Sequence, residues 1–168
     1  MHSAFLKEVE RKIKMKMFKI LVISLALCSM QNVAHADAIN DAIKARISFY
    51  QVAKHYFVPL AAMAKGDIEY NAEQAKLNAK IIETLSQMNT DSMWPEKSSK
   101  TDRPGQTRAL AKIWSEYDAA LVKLKNWKDT STVLAKTAGN GLDELRKGLS
   151  AVNKACTACH DTYRAEKF

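Results

Sequence analysis

From residue 38 onward, apolar residues recur at steps of three and four, the period of an amphipathic helix. The first stripe, Ile39, Ile43, Ile47, Tyr50, Ala53, Phe57 and Leu60, predicts a helix over 38–65 that Gly66 stops. Pro59 lies inside it and predicts a kink or a local break, because proline lacks the N–H the helical ladder needs. A second helix is expected from Asn71, a good N-cap with Gln74 three residues on, through Ala75, Ala79, Ile82 and Leu85 to about Met88. Residues 89–103 carry Ser, Thr, Lys and Pro and read as a loop. Pro104 suits the first turn of a third helix, which carries Leu110, Ile113, Tyr117, Leu121 and Leu124 onward to Leu134 and Ala138. Gly139-Asn140-Gly141 breaks it. A fourth helix, 142–166, has Leu142, Leu145, Leu149, Val152, Cys156, Cys159 and Tyr163 on one seam. Strand alternation is nowhere sustained. The short first and third connections favour antiparallel neighbours, so the expected fold is all-α, an antiparallel up-down-up-down four-helix bundle.

The first 36 residues stand apart from this pattern. Lys12, Lys14, Lys16 and Lys19 precede an apolar run, Ile20 to Met30, and Ala34-His35-Ala36 follows as a small-x-small cleavage site. That is the build of a cleaved secretory signal peptide, with cutting after Ala36 and residues 37–168 as the mature domain. The charged stretch ahead of the run is long, which makes Met15 and Met17 alternative starts. The run is about 11 residues, short of the roughly 20 needed to span a bilayer, so no membrane anchor is expected. Cys28 raises a lipoprotein signal, but Leu27 stands where such signals need a small residue. The leader holds six basic and two acidic residues, so half of the chain's net charge of +8 belongs to it. No basic run interleaved with aromatics remains, which leaves nucleic-acid binding unsupported.

The chemistry concentrates near the carboxyl end, in Cys156-Thr157-Ala158-Cys159-His160. Cys-x-x-Cys-His is the attachment sequence of a c-type haem. Helical steps of three and four place Cys156, Cys159 and His160 where they can address one flat ligand. The two sulfurs bond to the vinyl carbons and the imidazole coordinates iron. Competing readings fare worse. A structural zinc needs about four N/S ligands, and His55 is the only further histidine outside the leader. A thioredoxin-like dithiol wants a βαβ context, and the surroundings read as helix. Once the leader is cut, only the two motif cysteines remain, an even count that suits an oxidising compartment and a covalent cofactor.

Cys156 to His160, continued by Asp161-Thr162-Tyr163-Arg164 at the end of a four-helix chain, resembles class II cytochrome c, the cytochrome c′ family. The likeness spans the mature chain: Arg46 in a first helix ending at Lys65-Gly66, Tyr70, and Thr101-Asp102 with Pro104-Gly105-Gln106-Thr107 leading to Ile113-Trp114. The resemblance implies one covalent haem c per chain, with Cys156 and Cys159 as thioether cysteines and His160 as axial iron ligand. It implies that Arg46 lies beside the propionates, that Arg164 lies close to the proximal histidine, and that Asp102 is a polar residue at the haem edge. A solvated surface arginine is the plainer reading of each arginine. Relatives with six-coordinate, Met-ligated haem place Met one turn after the arginine; here Tyr50 stands there, about 400° round the helix from Arg46. Tyr50 is therefore expected to shield a five-coordinate iron rather than bind it. His55, about 140° further round than Tyr50, points elsewhere, and Met63, Met88 and Met93 read as core or helix-end residues. Trp94 matches an aromatic that closes the pocket where the loop begins, and Trp114 reads as packing.

Two functions follow from the resemblance, and the sequence does not choose between them. One is binding of small gases such as NO and CO at an open iron. The other is single-electron transfer with a redox partner protein, which a six-coordinate, low-spin iron would serve alone. No distal histidine shares Tyr50's face to act as acid or base, so an enzyme is not expected. A periplasmic location and a homodimer, through the first two helices, complete the expectation.

Overall fold

The computed structural model describes Arg11, Met15 and residues 38–167. The chain divides into two compact units, residues 1–39 and 40–168. The expected leader and its cleavage after Ala36 lie outside the described residues, save Arg11 and Met15. The first unit otherwise contributes only Ala38 and Ile39, the opening turn of a helix.

From residue 38 the described residues form five α-helices, with a 3-10 turn Asp91–Met93 between the second and third: α1 over 38–65, α2 Ala72–Gln87, the one-turn α3 Lys112–Ser115, α4 Tyr117–Thr137 and α5 Leu142–Tyr163. The four long ones form the bundle. One core unites them, with Phe49, Leu60 and Met63 from α1, Ala75, Ala79 and Ile82 from α2, Trp127 and Leu134 from α4, and Leu145, Leu149, Val152 and Ala155 from α5. Deleting a side chain such as Leu145, which is fully buried, costs about 2–5 kcal/mol at sites of this kind. Small residues set the spacing. A Cβ on Gly148 would sit 2.9 Å from Leu134 Cδ1 and 3.3 Å from Leu134 Cα, so α4 and α5 approach as closely as a hydrogen allows.

The N-cap of α2 is as expected: Asn71 Oδ1 accepts from the Gln74 amide at 2.9 Å. α1 runs unbroken through Pro59, so the expected break does not occur. The α1 stripe also differs by one register step. Arg46 and Phe49 are buried, while Ile47 and Tyr50 each keep 38% of their surface exposed. Steps 43, 46, 49, 53 and 56 fit the 3.6 period as well as the steps through 47 and 50.

The third helix starts later than Pro104 suggests. Residues 101–106 form turns, with Gly105 at a φ of +78°, and Ala109 pairs with Arg164 in an isolated β-bridge. Extended backbone at Ala109 is incompatible with a helix there. The same bridge ends α5 at Tyr163 rather than Glu166, since Arg164 adopts φ −124°, ψ 126°. Glu116, with φ −123° and ψ 41°, then separates α3 from α4.

Candidate cofactor site

The last turns of α5 carry Cys156, Cys159 and His160. Both cysteines are free thiols and half-buried, and the imidazole is exposed. Burial pushes the Cys156 thiol up to about 11, with the neighbouring Cys159 adding to it. Burial also raises Cys159, which Lys123 of α4 draws back down. His160 is pulled below its ordinary value by partial burial first, then by the charges of Arg164 and Arg108, against a small upward pull from Asp161. Its imidazole is therefore neutral at neutral pH, the form that binds a metal. Arg164, the C-cap of α5, sets Nη1 3.4 Å from His160 Nδ1.

Tyr50 on α1 lies near enough to the cysteines for their charges to act on it. Burial is the main cause that lifts its phenol well above the usual tyrosine range, Cys159 and Cys156 add to the lift, and Arg46 opposes it. The phenol is thus held neutral. Three aromatic rings fix it: Phe49 with centroids 5.2 Å apart, Trp127 at 6.0 Å and Trp94 at 6.5 Å. Tyr50 keeps 38% of its surface exposed. Trp94 in turn contacts Trp114 at 6.3 Å, and Trp114 Nε1 donates to the Trp94 carbonyl at 3.2 Å.

Arg46 is not a solvated arginine. It is 3% exposed. Nη1 donates to Ser98 Oγ at 2.9 Å and to the Met93 carbonyl at 3.4 Å. Nη2 donates to the Ser98 carbonyl at 2.6 Å and to Thr107 Oγ1 at 2.7 Å. Its guanidinium also lies 4.6 Å from the Trp94 ring centroid, a cation–π distance. Burial lowers Arg46 to about 10, with Tyr50 pulling upward, so it remains charged at neutral pH. One side chain of α1 thereby ties down both ends of the loop that carries Trp94.

Asp102 sits on that same loop, where its carboxylate accepts from Ser99 Oγ and from the Ser99 amide. It closes a turn, and among the described residues no hydrogen bond or ion pair joins it to the α5 motif. His55 is exposed and stacks edge-on against Tyr56 at 5.1 Å. Met63 is buried in the core, and Met88 is 45% exposed. The roles of Ser98, Thr107 and Arg108 have no signal in the sequence. Hydroxyls in a Ser- and Thr-containing loop carry no periodic signal, and only the buried guanidinium gives Ser98 and Thr107 their roles.

This donor set fits a covalent haem: two thiols on one helical face, a neutral imidazole beside them, and an apolar aromatic plate. It does not fit zinc, because among the described residues no cluster of three or more His, Cys, Asp or Glu side chains stands ready to hold a metal.

Comparison with known proteins agrees. The profile of a family described as Cytochrome C′ matches residues 41–164. Cytochrome c′ of Cereibacter sphaeroides is 30% identical over 151 residues, covering 90% of this chain and 100% of its own. Cytochrome c′ of Alcaligenes xylosoxydans xylosoxydans is 31% identical over 129 residues, covering 76% of this chain and 96% of its own. Among solved structures, a cytochrome c′ from Rhodobacter Spheriodes superposes with a TM-score of 0.75 at 31% identity, covering 77% of this chain and 98% of that one. The nitric oxide complex of a mutant cytochrome c prime from Alcaligenes xylosoxidans superposes with a TM-score of 0.67 at 28% identity, covering the same shares.

Proposed function

The chain belongs to the cytochrome c′ family and carries covalently attached haem c, and on that premise we propose a periplasmic haem protein whose five-coordinate iron binds NO and CO. Cys156 and Cys159 would hold the haem through thioethers, and His160 would bind its iron. When bound, the haem supplies an iron able to take a diatomic ligand and to change charge by one electron.

The protein's own residues set the selectivity. Tyr50 roofs the far side, and the observation that carries the reading is how it is held. Phe49, Trp127 and Trp94 flank the ring, and its hydroxyl stays protonated. A neutral phenol is a poor iron ligand, and its bulk admits only small molecules. The alternative, a six-coordinate carrier, needs a sixth protein ligand. Met63 is engaged in the core and His55 faces solvent beside Tyr56. That a related cytochrome c prime was solved with nitric oxide supports the gas reading.

On the proximal side, a metal-bound histidine usually donates its second N–H to a carboxylate or carbonyl, which raises its basicity. Here the neighbour of His160 Nδ1 is a cation, Arg164. With His160 on iron, that cation would draw electron density from the ring and weaken its hold on the metal. Export follows from the leader read in the sequence. A homodimer through α1 and α2 is supported by the exposed Val52 and Val58 on α1 and Leu77 on α2; sedimentation at several concentrations measures it. The function is tested by titrating ferrous holoprotein with NO and with CO. Each should shift the Soret band at one equivalent. A band that neither gas moves refutes the reading.

A further inference from the structure

The break between α4 and α5 holds a reactive dipeptide. Of the chain's asparagines, Asn140 alone is followed by glycine. Glycine has no Cβ to shield its own amide nitrogen, so in an Asn-Gly pair that nitrogen can attack the carbonyl of the preceding side chain. Bulkier followers, such as Thr90 after Asn89 or Trp127 after Asn126, obstruct the same approach. Asn140 is exposed, and a Cβ placed on Gly141 would meet nothing within 4 Å, so solvent has access. Gly141 adopts φ +121°, ψ 160°, a conformation that L side chains rarely take. The fold therefore requires the glycine that makes Asn140 vulnerable.

One side chain stands on the nucleophile. The Gly141 amide donates to the Tyr70 hydroxyl at 3.0 Å, and that hydroxyl donates to the Ala138 carbonyl at 2.9 Å. Tyr70 lies in the connection between α1 and α2, so it ties that connection to the one between α4 and α5. The surrounding turn is fixed as well. Asn140 N donates to Thr137 O at 2.9 Å, and Leu145 N to Gly141 O at 3.0 Å. Asn140 Nδ2 donates to the Lys136 carbonyl at 3.3 Å. A Cβ on Gly139 would lie 3.3 Å from Lys76 Cβ, so α2 backs the turn closely. Of these contacts, Tyr70's is the one on the reacting nitrogen, whose proton must leave and whose peptide plane must turn before it can attack.

We propose that Asn140-Gly141 is a site of spontaneous deamidation and that Tyr70 sets its rate by holding the Gly141 amide. The reaction consumes water and involves no oxidant or reductant. Solvent hydroxide takes the Gly141 amide proton, the nitrogen bonds to Asn140 Cγ, and the side-chain nitrogen leaves as ammonia. Water then opens the cyclic imide at either carbonyl and leaves aspartate or isoaspartate at position 140. The isoaspartyl product carries an extra carbon in the main chain, which displaces Gly141 from Tyr70 and cuts the tie between the two connections. The site acts as a one-way timer that runs when this end of the bundle opens locally. It lies at the end of α5 away from Cys156 and His160, and its chemistry is independent of the haem.

The test ages holoprotein at mildly alkaline pH and follows the tryptic peptide 137–146 by mass spectrometry, for exchange of NH2 by OH and for the isoaspartyl isomer. Folded wild type should convert about tenfold more slowly than the chain unfolded in urea, and folded Tyr70→Phe, which keeps the ring but lacks the acceptor, about tenfold faster than folded wild type, a rate change equivalent to about 1.4 kcal/mol. Asn140→Gln should leave the peptide unchanged. Val152→Ala, a core change at a residue 1% exposed and away from the turn, should destabilise the bundle yet leave the rate near that of wild type. An unfolded chain that does not convert overturns the site. Folded wild type converting as fast as the unfolded chain overturns the guard, as does Tyr70→Phe converting no faster than wild type or no faster than Val152→Ala. If Tyr70→Phe does not fold, hydrogen exchange of the wild-type Gly141 amide decides the guard: protection supports it, and exchange at the rate of a free amide overturns it.

Discussion

Replacing Arg46 isolates what its guanidinium does for the site. It makes four hydrogen bonds to three loop residues, Met93, Ser98 and Thr107. In Arg46→Gln the losses are unequal. Ser98 Oγ still donates to the Pro95 carbonyl, and Thr107 Oγ1 still accepts from the Ala109 amide. The Ser98 carbonyl, on a residue with no exposed surface, is left bare. A bare buried acceptor costs about 1–3 kcal/mol, and each remaining bond contributes about 1 kcal/mol net. Contact with Trp94 adds about 1 kcal/mol. The sum is about 5–7 kcal/mol. Arg46→Lys keeps the charge but not the planar fork that spans three acceptors, so it should recover less than about half. Urea unfolding of the holoprotein measures both, and an unchanged m-value confirms that the midpoint shift is one of stability. Amide exchange should rise first in 94–109, with helix amides little affected. If both variants stay within about 1 kcal/mol of wild type and the loop exchanges no faster, the latch is wrong.

Gly148→Ala should destabilise by about 1–3 kcal/mol through overpacking against Leu134, seen as a lower melting temperature; a neutral change contradicts the close approach of α4 and α5. Tyr50 should stay protonated past the pH, about 10, at which an unfolded tyrosine ionises. Thioether formation removes the two thiol charges but not the burial that leads the shift. Because the folded value is the higher one, Tyr50's contribution to stability is full below about pH 10 and is lost as pH rises further. A phenolate–iron charge-transfer band at pH 8 would contradict this. Arg164→Glu should give His160 an acceptor, strengthen its bond to iron and lower the reduction potential; voltammetry showing an unchanged or higher potential refutes the electron-poor ligand.

Much of this molecule was legible in the sequence because its signals are local. The α5 seam, the Asn71 cap and the Cys-x-x-Cys-His spacing each depend on neighbours a few residues apart. What escaped was set across long separations. Arg46 meets Ser98 and Thr107 more than 50 residues away, so a charged residue inside an apolar stripe reads as surface. Pro104 and Gly105 look like a helix start until the Ala109–Arg164 bridge, 55 residues apart, demands extended backbone. The same bridge ends α5. Tyr50 was singled out by its register against Arg46, but two of the three rings that hold it come from a loop and from α4.

The central claim is that a haem fixed to α5 keeps its far face covered by a phenol and not bonded to a protein side chain. The absorption spectrum of ferrous holoprotein at neutral pH, without added ligand, tests it most directly. A single broad high-spin Soret with no split α and β bands is the predicted result. Sharp low-spin α and β bands in the untreated ferrous protein would contradict it.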